Sequence, residues 1–143
     1  INGVKAALLN IREGEPLAIF SSGAVADLKP RLGWTLHERD WQEAAIKLIR
    51  KARVPVVPIR FYDHNTWFYY VLGLLDYRIR FVRLFHELFN KRGTHPRMSI
   101  GEIISVEQQE AISEADFKDF LRHSVYDIPL PESFTLRSEL WKK

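Results

Sequence analysis

The 143-residue sequence contains no cysteine, which excludes disulfide bonds, thiolate catalysis and cysteine-ligated metal sites. It has one methionine, Met98, and begins at Ile1, so we expect it to be part of a longer protein. No apolar run is long enough to span a bilayer, and no signal-peptide pattern opens the chain. Neither a G-x-G-x-x-G motif nor a Walker loop is found, so nothing indicates a dinucleotide or P-loop site.

The five histidines belong to no recognisable metal or catalytic motif. The stretch HELFN, which starts at His86, has Asn90 where the H-E-x-x-H zinc motif requires its second histidine. His123 precedes Asp127 by four residues, which on a helix predicts only a surface pair. We therefore predict no metal site. The five are His37, His64, His86, His95 and His123.

Composition indicates an ordinary folded domain. Apolar residues make up 46% of the chain and charged residues 27%, values typical of a soluble protein with a hydrophobic core. The formal net charge of +3 is too small by itself to indicate a nucleic-acid-binding protein. Because the chain is short and has no visible repeat, we expect residues 1–143 to form a single domain.

Helical and strand-like segments alternate along the sequence. Apolar spacing predicts helices at residues 4–11, 38–52, 65–75 and 114–126, the last with Ser113 as its N-cap. Short apolar or alternating runs predict strands at residues 17–20, 54–62, 78–89 and 97–104. This order is typical of an α/β fold, and we predict a mostly parallel or mixed sheet flanked by helices. Pro55 and Pro58 indicate an edge or a break, because proline cannot donate to a ladder.

The first predicted strand, Leu17–Phe20, ends in Ser21, Ser22 and Gly23. Ligands of parallel sheets bind beyond the carboxyl ends of the strands, so this turn is a candidate site. A serine after a buried strand resembles half of a nucleophile elbow, but Ile19 stands where that motif requires glycine. A plain strand-to-loop turn is the alternative.

The same loop could bind an anion. Gly23 permits a turn in which backbone N–H groups point at a phosphate, and Lys29 and Arg31 could add positive charge. The alternative is a solvated loop that carries ordinary surface cations. The residues alone leave both interpretations open.

Aromatic residues stand next to a cation-rich segment in the middle of the chain. Trp67–Tyr70 are four aromatic residues in succession, and residues 76–97 follow with six cations. Rings beside cations are typical of a membrane interface, although the same composition can stack nucleic-acid bases. A core helix followed by a half-exposed strand is the third interpretation. The cations are Arg78, Arg80, Arg83, Lys91, Arg92 and Arg97.

Three blocks of sequence, in order, resemble the C-terminal half of a lysophospholipid/glycerolipid acyltransferase domain, closest to the bacterial hemolysin-like, ornithine-lipid branch. They read LLNIREGEPLAIFSSG, WQEAAIKLIRKARVPVVPIRFYD and RMSIGEIIS. Val54–Ile59 match the family pattern V-P-[IV]-[IV]-P-[VI] at every position, and Ile100–Ile104 resemble its I-G-E-x-I strand. The resemblance covers residues 8–105 and leaves residues 106–143 as a helical C-terminal extension.

The resemblance implies an enzyme that moves an acyl group from acyl-CoA or acyl carrier protein to a lysolipid or amino-acid lipid. It implies no bound cofactor and no nucleic acid, and a cytoplasmic protein in peripheral contact with the inner membrane face. The family's catalytic H-x4-D motif is missing, because no histidine here has an aspartate five positions later. The chain would then be an acceptor-binding half, inactive alone. The alternative is a non-catalytic module that binds anionic lipid or a protein.

The loop departs from the family pattern F-P-E-G-T-R. Phe20 and Gly23 are kept, but serine, serine, alanine and valine stand at the other positions, which implies a different acceptor head group. Loss of the other half would expose sheet edges, so we also expect the fragment to homodimerise. The implied substrate-binding residues are Phe20, Ser21, Ser22, Gly23, Lys29, Arg31, Val54, Pro55 and Pro58. Those expected to face membrane or acyl chain are Trp67, Phe68, Tyr70, Arg78 and Arg80.

Overall fold

The computed structural model describes residues 2–129, which divide into two compact units with separate cores. The first unit holds residues 2–24, Asp40–Pro58 and Ile100–Ile128. The second unit holds Val25–Arg39, Ile59–Ser99 and residue 129. The last 14 residues of the predicted C-terminal extension, 130–143, lie outside the described residues.

Helices dominate both units, and the strands are short. The helices are α1 (Asn2–Arg12), α2 (Glu43–Ala52), α3 (Trp67–Leu75), α4 (Tyr77–Asn90), α5 (Val106–Ala111) and α6 (Phe117–Tyr126). The strands are β1 (Asp27–Lys29), β2 (Thr35–His37), β3 (Ile59–Phe61) and β4 (Met98–Ile100). The fold is therefore of mixed α and β type, as the alternating pattern predicts.

Both sheets are two-stranded and antiparallel. Strand β1 pairs with β2 across a 3-10 turn at Pro30–Leu32. Strand β3 pairs with β4, and the hydrogen bond from Tyr62 N to Arg97 O extends that ladder. The pairings within residues 2–129 thus give no parallel sheet. The predicted strand at residues 17–20 is irregular here, because no described strand lies beside it to share a ladder.

The core of the first unit forms between α2 and α6. The amphipathic pattern of α2 turns Ile46 inward, where it meets Phe117 and Leu121 of α6. Trp41 and Ile104 complete the buried cluster. Phe117 has no exposed surface at all, so it is the centre of this core.

The core of the second unit forms where the α3–α4 pair meets β1. Leu28 of β1 packs with Tyr69 and Tyr70 of α3, whose rings meet edge to face at 5.3 Å. The side chains of Thr66 and Asp76 accept hydrogen bonds from the first turns of α3 and α4. Asp76 is both the C-cap of α3 and the N-cap of α4, which explains why one helix ends where the next begins.

Three further segments differ from the sequence prediction. The predicted strand at residues 78–89 is wrong: these residues belong to α4. Helix α5 was not predicted, although its capping box, in which Ser105 and Gln108 exchange hydrogen bonds, is a visible start signal. The helix predicted from residue 114 begins at Phe117, and Ser113 accepts from Asp116 N in the turn before it.

Candidate functional site

The turn after Phe20 is closed and anchored within the first unit. Gly23 N donates to Phe20 O at 2.9 Å, and Gln42 N donates to Ser21 O at 2.8 Å. Gly23 has a φ of +62°, a left-handed conformation that glycine adopts without strain. A Cβ at this position would also collide with the side-chain amide of Gln42. The predicted glycine turn is therefore present, and the side chain of Gln42 lies against it.

The two serines of this turn have different environments. Ser22 is only 9% exposed, and its hydroxyl donates to Ala24 O at 3.1 Å, so it stabilises the turn. Ser21 is half-buried, and its hydroxyl has no hydrogen-bond partner among residues 2–129. Phe20 stands 75% exposed beside it. Phe20, Ser21 and Gly23 thus have surface that a ligand can reach, and Ser21 is the one among them with a polar side chain.

The proline segment and the later glycine motif lie against each other. Val56 and Ile104 exchange backbone hydrogen bonds of 3.0 and 2.8 Å, and Gly101 N donates to Pro58 O at 2.9 Å. A Cβ on Gly101 would lie 3.1 Å from the Ile128 side chain, which is tight, and 3.4 Å from the Pro58 ring, which is an ordinary contact. Regular pairing is interrupted at buried Pro58, which confirms the break that the prolines predict.

The other members of the proline segment differ in exposure. Pro55 is exposed, whereas Val54 is half-buried. The carbonyl of Val54 accepts a hydrogen bond of 2.9 Å from the side chain of Gln109, which is itself buried in α5. Gln109 therefore fixes the start of the proline segment, and it was missed because nothing in the sequence marks a buried glutamine.

Lys29 belongs to a charged cleft of about 300 Å³ in the second unit. At its edge Asp27 accepts hydrogen bonds of 2.8 Å from both Arg39 and Arg80. Burial acts to raise the pKa of Asp27, but its hydrogen bonds and the two positive charges outweigh this and hold the pKa below its usual value. Arg31 is exposed on the 3-10 turn and is not part of the cleft lining.

The residues expected to face lipid fall into two groups. Trp67 and Phe68 are 41% and 55% exposed, and Arg78 is exposed as well. Tyr70 and Arg80, in contrast, are buried, so the prediction that these two face lipid is wrong. Tyr70 packs in the core of the second unit, and Arg80 turns inward because Asp27 and the carbonyl of Ala26 bind its guanidinium.

The inward face of α4 carries the buried charged residues Arg80 and Glu87 beside Leu84, which packs against the core of the second unit. Glu87 is 1% exposed and accepts hydrogen bonds from Thr66 Oγ1 at 2.6 Å and Thr66 N at 2.8 Å. Burial acts to raise the pKa of Glu87, but the Thr66 bonds and the charges of Arg83 and Lys91 hold the pKa below its usual value. Glu87 therefore ties α4 to the start of α3 as a carboxylate.

Alanine at position 23 tests the enclosed turn. We expect Gly23→Ala to lower the free energy of unfolding by about 1–2 kcal/mol, because alanine is strained at this φ. Part of the cost comes from Gln42, so the same substitution in a Gln42→Ala background should cost less. Urea unfolding of the four proteins measures this cycle. Equal costs in both backgrounds would show that Gln42 does not crowd the turn.

Comparison with known proteins does not assign a function to this site. Neither protein families, curated proteins nor solved structures gave a match to this chain. Within residues 2–129, no helix combines the length and apolar character needed to cross a membrane. The same residues contain no group of three or more histidine, aspartate or glutamate side chains that could hold a metal ion.

Proposed function

We propose that this chain is the acceptor-binding half of an acyltransferase. The enzyme would move an acyl group from acyl-CoA or acyl carrier protein to a lysolipid or amino-acid lipid. The supporting observation is that most of the three resembling blocks belongs to the first unit, namely residues 8–23, 41–58 and 100–105, whereas residues 59–63 and 97–99 of the same blocks belong to the second unit. Two of the three blocks are joined directly by the backbone bonds between Val56 and Ile104.

In this proposal the turn of residues 20–23 contacts the acceptor. The Ser21 hydroxyl is available to hydrogen-bond a polar head group, and exposed Phe20 offers an apolar contact beside it. Ser22 and Gly23 set the shape of the turn, and Val54, Pro55 and Pro58 form the wall of the acceptor site. Prolines supply shape here, because they have no group that transfers protons.

The proton-transfer chemistry would come from outside this chain. Acyl transfer to a hydroxyl or amine needs a base, and an oriented histidine is the usual one. The His–Asp pair His123 and Asp127 is an exposed i, i+4 contact on α6, as its spacing predicts. We therefore propose that a longer protein supplies the H-x4-D motif and the largely parallel sheet that residues 17–20 would join. That protein would be cytoplasmic and peripheral on the inner membrane face.

Acyl transfer by the chain and by the longer protein tests this proposal. We expect no transfer from labelled acyl-CoA or acyl carrier protein to lysolipid by residues 1–143, and measurable transfer by the longer protein. Ser21→Ala in the longer protein should raise the acceptor KM about three- to tenfold, with kcat and the donor KM unchanged. Ser113→Ala, in the turn before α6, is the matched control. Turnover by the chain alone would contradict the role assigned to it, as would a longer protein without H-x4-D.

A second candidate is a non-catalytic module that binds anionic lipid. The loop that resembles F-P-E-G-T-R retains neither its glutamate nor its arginine, which favours a protein that no longer holds a glycerol phosphate there. Vesicle binding without acyl transfer by the longer protein would favour this candidate. A module that binds a protein instead of lipid would show neither vesicle binding nor acyl transfer.

A further inference from the structure

Helix α4 exposes apolar side chains and buries charged ones, the reverse of an ordinary surface helix. Five large apolar side chains on it are 62–72% exposed, while its charged residues Arg80 and Glu87 are buried. A surface helix normally turns its apolar stripe to the core and its charges to water. The five outward residues, here called the α4 outer face, are Phe81, Val82, Phe85, Leu88 and Phe89.

The α4 outer face is one continuous stripe. Residues spaced by three, four or seven positions lie on the same side of a helix, and the five residues follow that spacing. The rings of Phe81 and Phe85 are in edge-to-face contact at 6.5 Å, which confirms that they are neighbours. The helix has 14 residues and is therefore about 21 Å long, too short to cross a bilayer but long enough to lie on one.

The inward contacts prevent α4 from rotating to hide this stripe. Arg80 is held by Asp27 at 2.8 Å, and Glu87 is held by both donors of Thr66. Rotation would break these bonds, leaving both donors of Thr66 without their acceptor and Asp27 with Arg39 alone, at a cost in free energy. The apolar side of α4 therefore stays outward in the folded second unit.

The charge around the α4 outer face is positive. Residues 76–95 contain five cations and two carboxylates, which are buried Glu87 and Asp76, whose side chain caps the start of α4. Arg78 at the start of the helix, and Lys91 and Arg92 just after its end, are all exposed. Cations at both ends of an apolar stripe complement an anionic bilayer surface, where lipid phosphates lie above acyl chains.

We propose that the α4 outer face is the surface by which this protein rests on an anionic lipid bilayer. The helix lies parallel to the membrane, its apolar side chains reach the acyl region, and Arg78, Lys91 and Arg92 contact lipid phosphates. The exposed cations at both ends of the helix favour an anionic bilayer over a protein partner. This surface goes beyond the proposed acyl transfer, and it stands whether or not the longer protein is an enzyme.

Vesicle co-sedimentation of the full 143-residue chain tests the proposal. Phe85→Asp should weaken binding to phosphatidylglycerol-containing vesicles about tenfold to a hundredfold, because a large apolar side chain leaves the acyl region. Ile103→Asp is the matched control: Ile103 is 65% exposed, as Phe85 is 62% exposed, and we expect less than a twofold change. Binding should fall with added salt and be weak on phosphatidylcholine alone. Equal losses in the two variants would overturn the proposal.

Spin labels give the orientation directly, because the chain has no cysteine of its own. A nitroxide on Phe85→Cys should become accessible to oxygen and shielded from a water-soluble nickel complex when vesicles are added. A nitroxide on Asn90→Cys, which lies about 140° away around the helix, should stay accessible to nickel. Equal nickel accessibility at both positions would contradict a flat-lying α4.

Loss of self-association in Phe85→Asp, with no vesicle binding by either the wild type or this variant, would identify a protein interface instead. None of these measurements uses an acyl donor. Failure of the proposed membrane surface can therefore be told apart from failure of the proposed acyl transfer.

Discussion

Replacement of Phe117 by alanine should lower the free energy of unfolding of the first unit by about 3–5 kcal/mol. The ring has no exposed surface and packs among Trp41, Ile46, Ile104 and Leu121. Its removal leaves a cavity that these neighbours cannot fill without moving. The guanidinium of Arg50, which lies 5.0 Å from the centre of the ring, also loses its cation–π contact.

Phe81→Ala provides the matched control for Phe117→Ala. The chemical change is the same, but Phe81 is 63% exposed, so its loss should change stability by about 0.5 kcal/mol or less. Urea unfolding is followed by the fluorescence of Trp41 for Phe117→Ala and of Trp67 for Phe81→Ala, each with the other three tryptophans replaced by phenylalanine, so that the reporter lies in the same unit as the substitution. A cost at Phe81 equal to that at Phe117 would contradict the burial that distinguishes them.

Replacement of Glu87 should have the largest effect in the second unit. We expect Glu87→Ala to lower the free energy of unfolding by about 2–4 kcal/mol, because both donors of Thr66 lose their acceptor and Arg83 loses its carboxylate at 3.7 Å. Glu87→Gln keeps an acceptor without the charge, so about 1–2 kcal/mol should be lost. Glu114→Gln, at an exposed carboxylate, is the control, with a change within about 0.5 kcal/mol.

The pH dependence of the Glu87→Gln effect has a definite sign. The pKa of Glu87 is lower in the folded chain than its ordinary value of 4.5, so the folded state holds fewer protons there than the unfolded state. Its stabilising contribution is complete above pH 4.5 and is lost as the pH falls through the lower, folded-state pKa. The stability difference between wild type and Glu87→Gln should therefore narrow below about pH 4.5. Urea unfolding at several pH values measures this difference; widening at low pH would contradict the assignment.

Helix α4 shows why local pattern was insufficient. The stretch RIRFVRLFHELF begins with alternating charged and apolar residues, which is typical of a half-buried strand. Pattern rules assume that charges face water, and here Arg80 and Glu87 face inward. Their partners, Asp27 and Thr66, stand 53 and 21 positions earlier in the sequence. Such long-range pairing leaves no trace in a short window.

Other parts of the structure were predictable because their causes are local. The helix at residues 4–11 and the helix near residues 65–75 follow from apolar spacing, and both are present as α1 and α3. The Gly23 turn and the break at Pro58 follow from backbone chemistry. The parallel sheet required a neighbour for residues 17–20, and no local rule supplies one. The role of Gln42 in the turn likewise depends on a contact with Ser21, which stands 21 positions earlier.

Because α4 exposes apolar side chains and buries charged ones, we also expect an unusual distribution of tolerated substitutions along this helix. In most helices, apolar positions resist change and charged positions accept almost anything. In α4, cellular abundance in a saturation mutagenesis screen should fall when Arg80 or Glu87 is replaced, even by a residue of similar volume. Exchange among apolar residues at Phe85 or Leu88 should leave abundance nearly unchanged. In such a screen Arg80 and Glu87 would behave like core positions, and Phe85 and Leu88 would behave like surface positions.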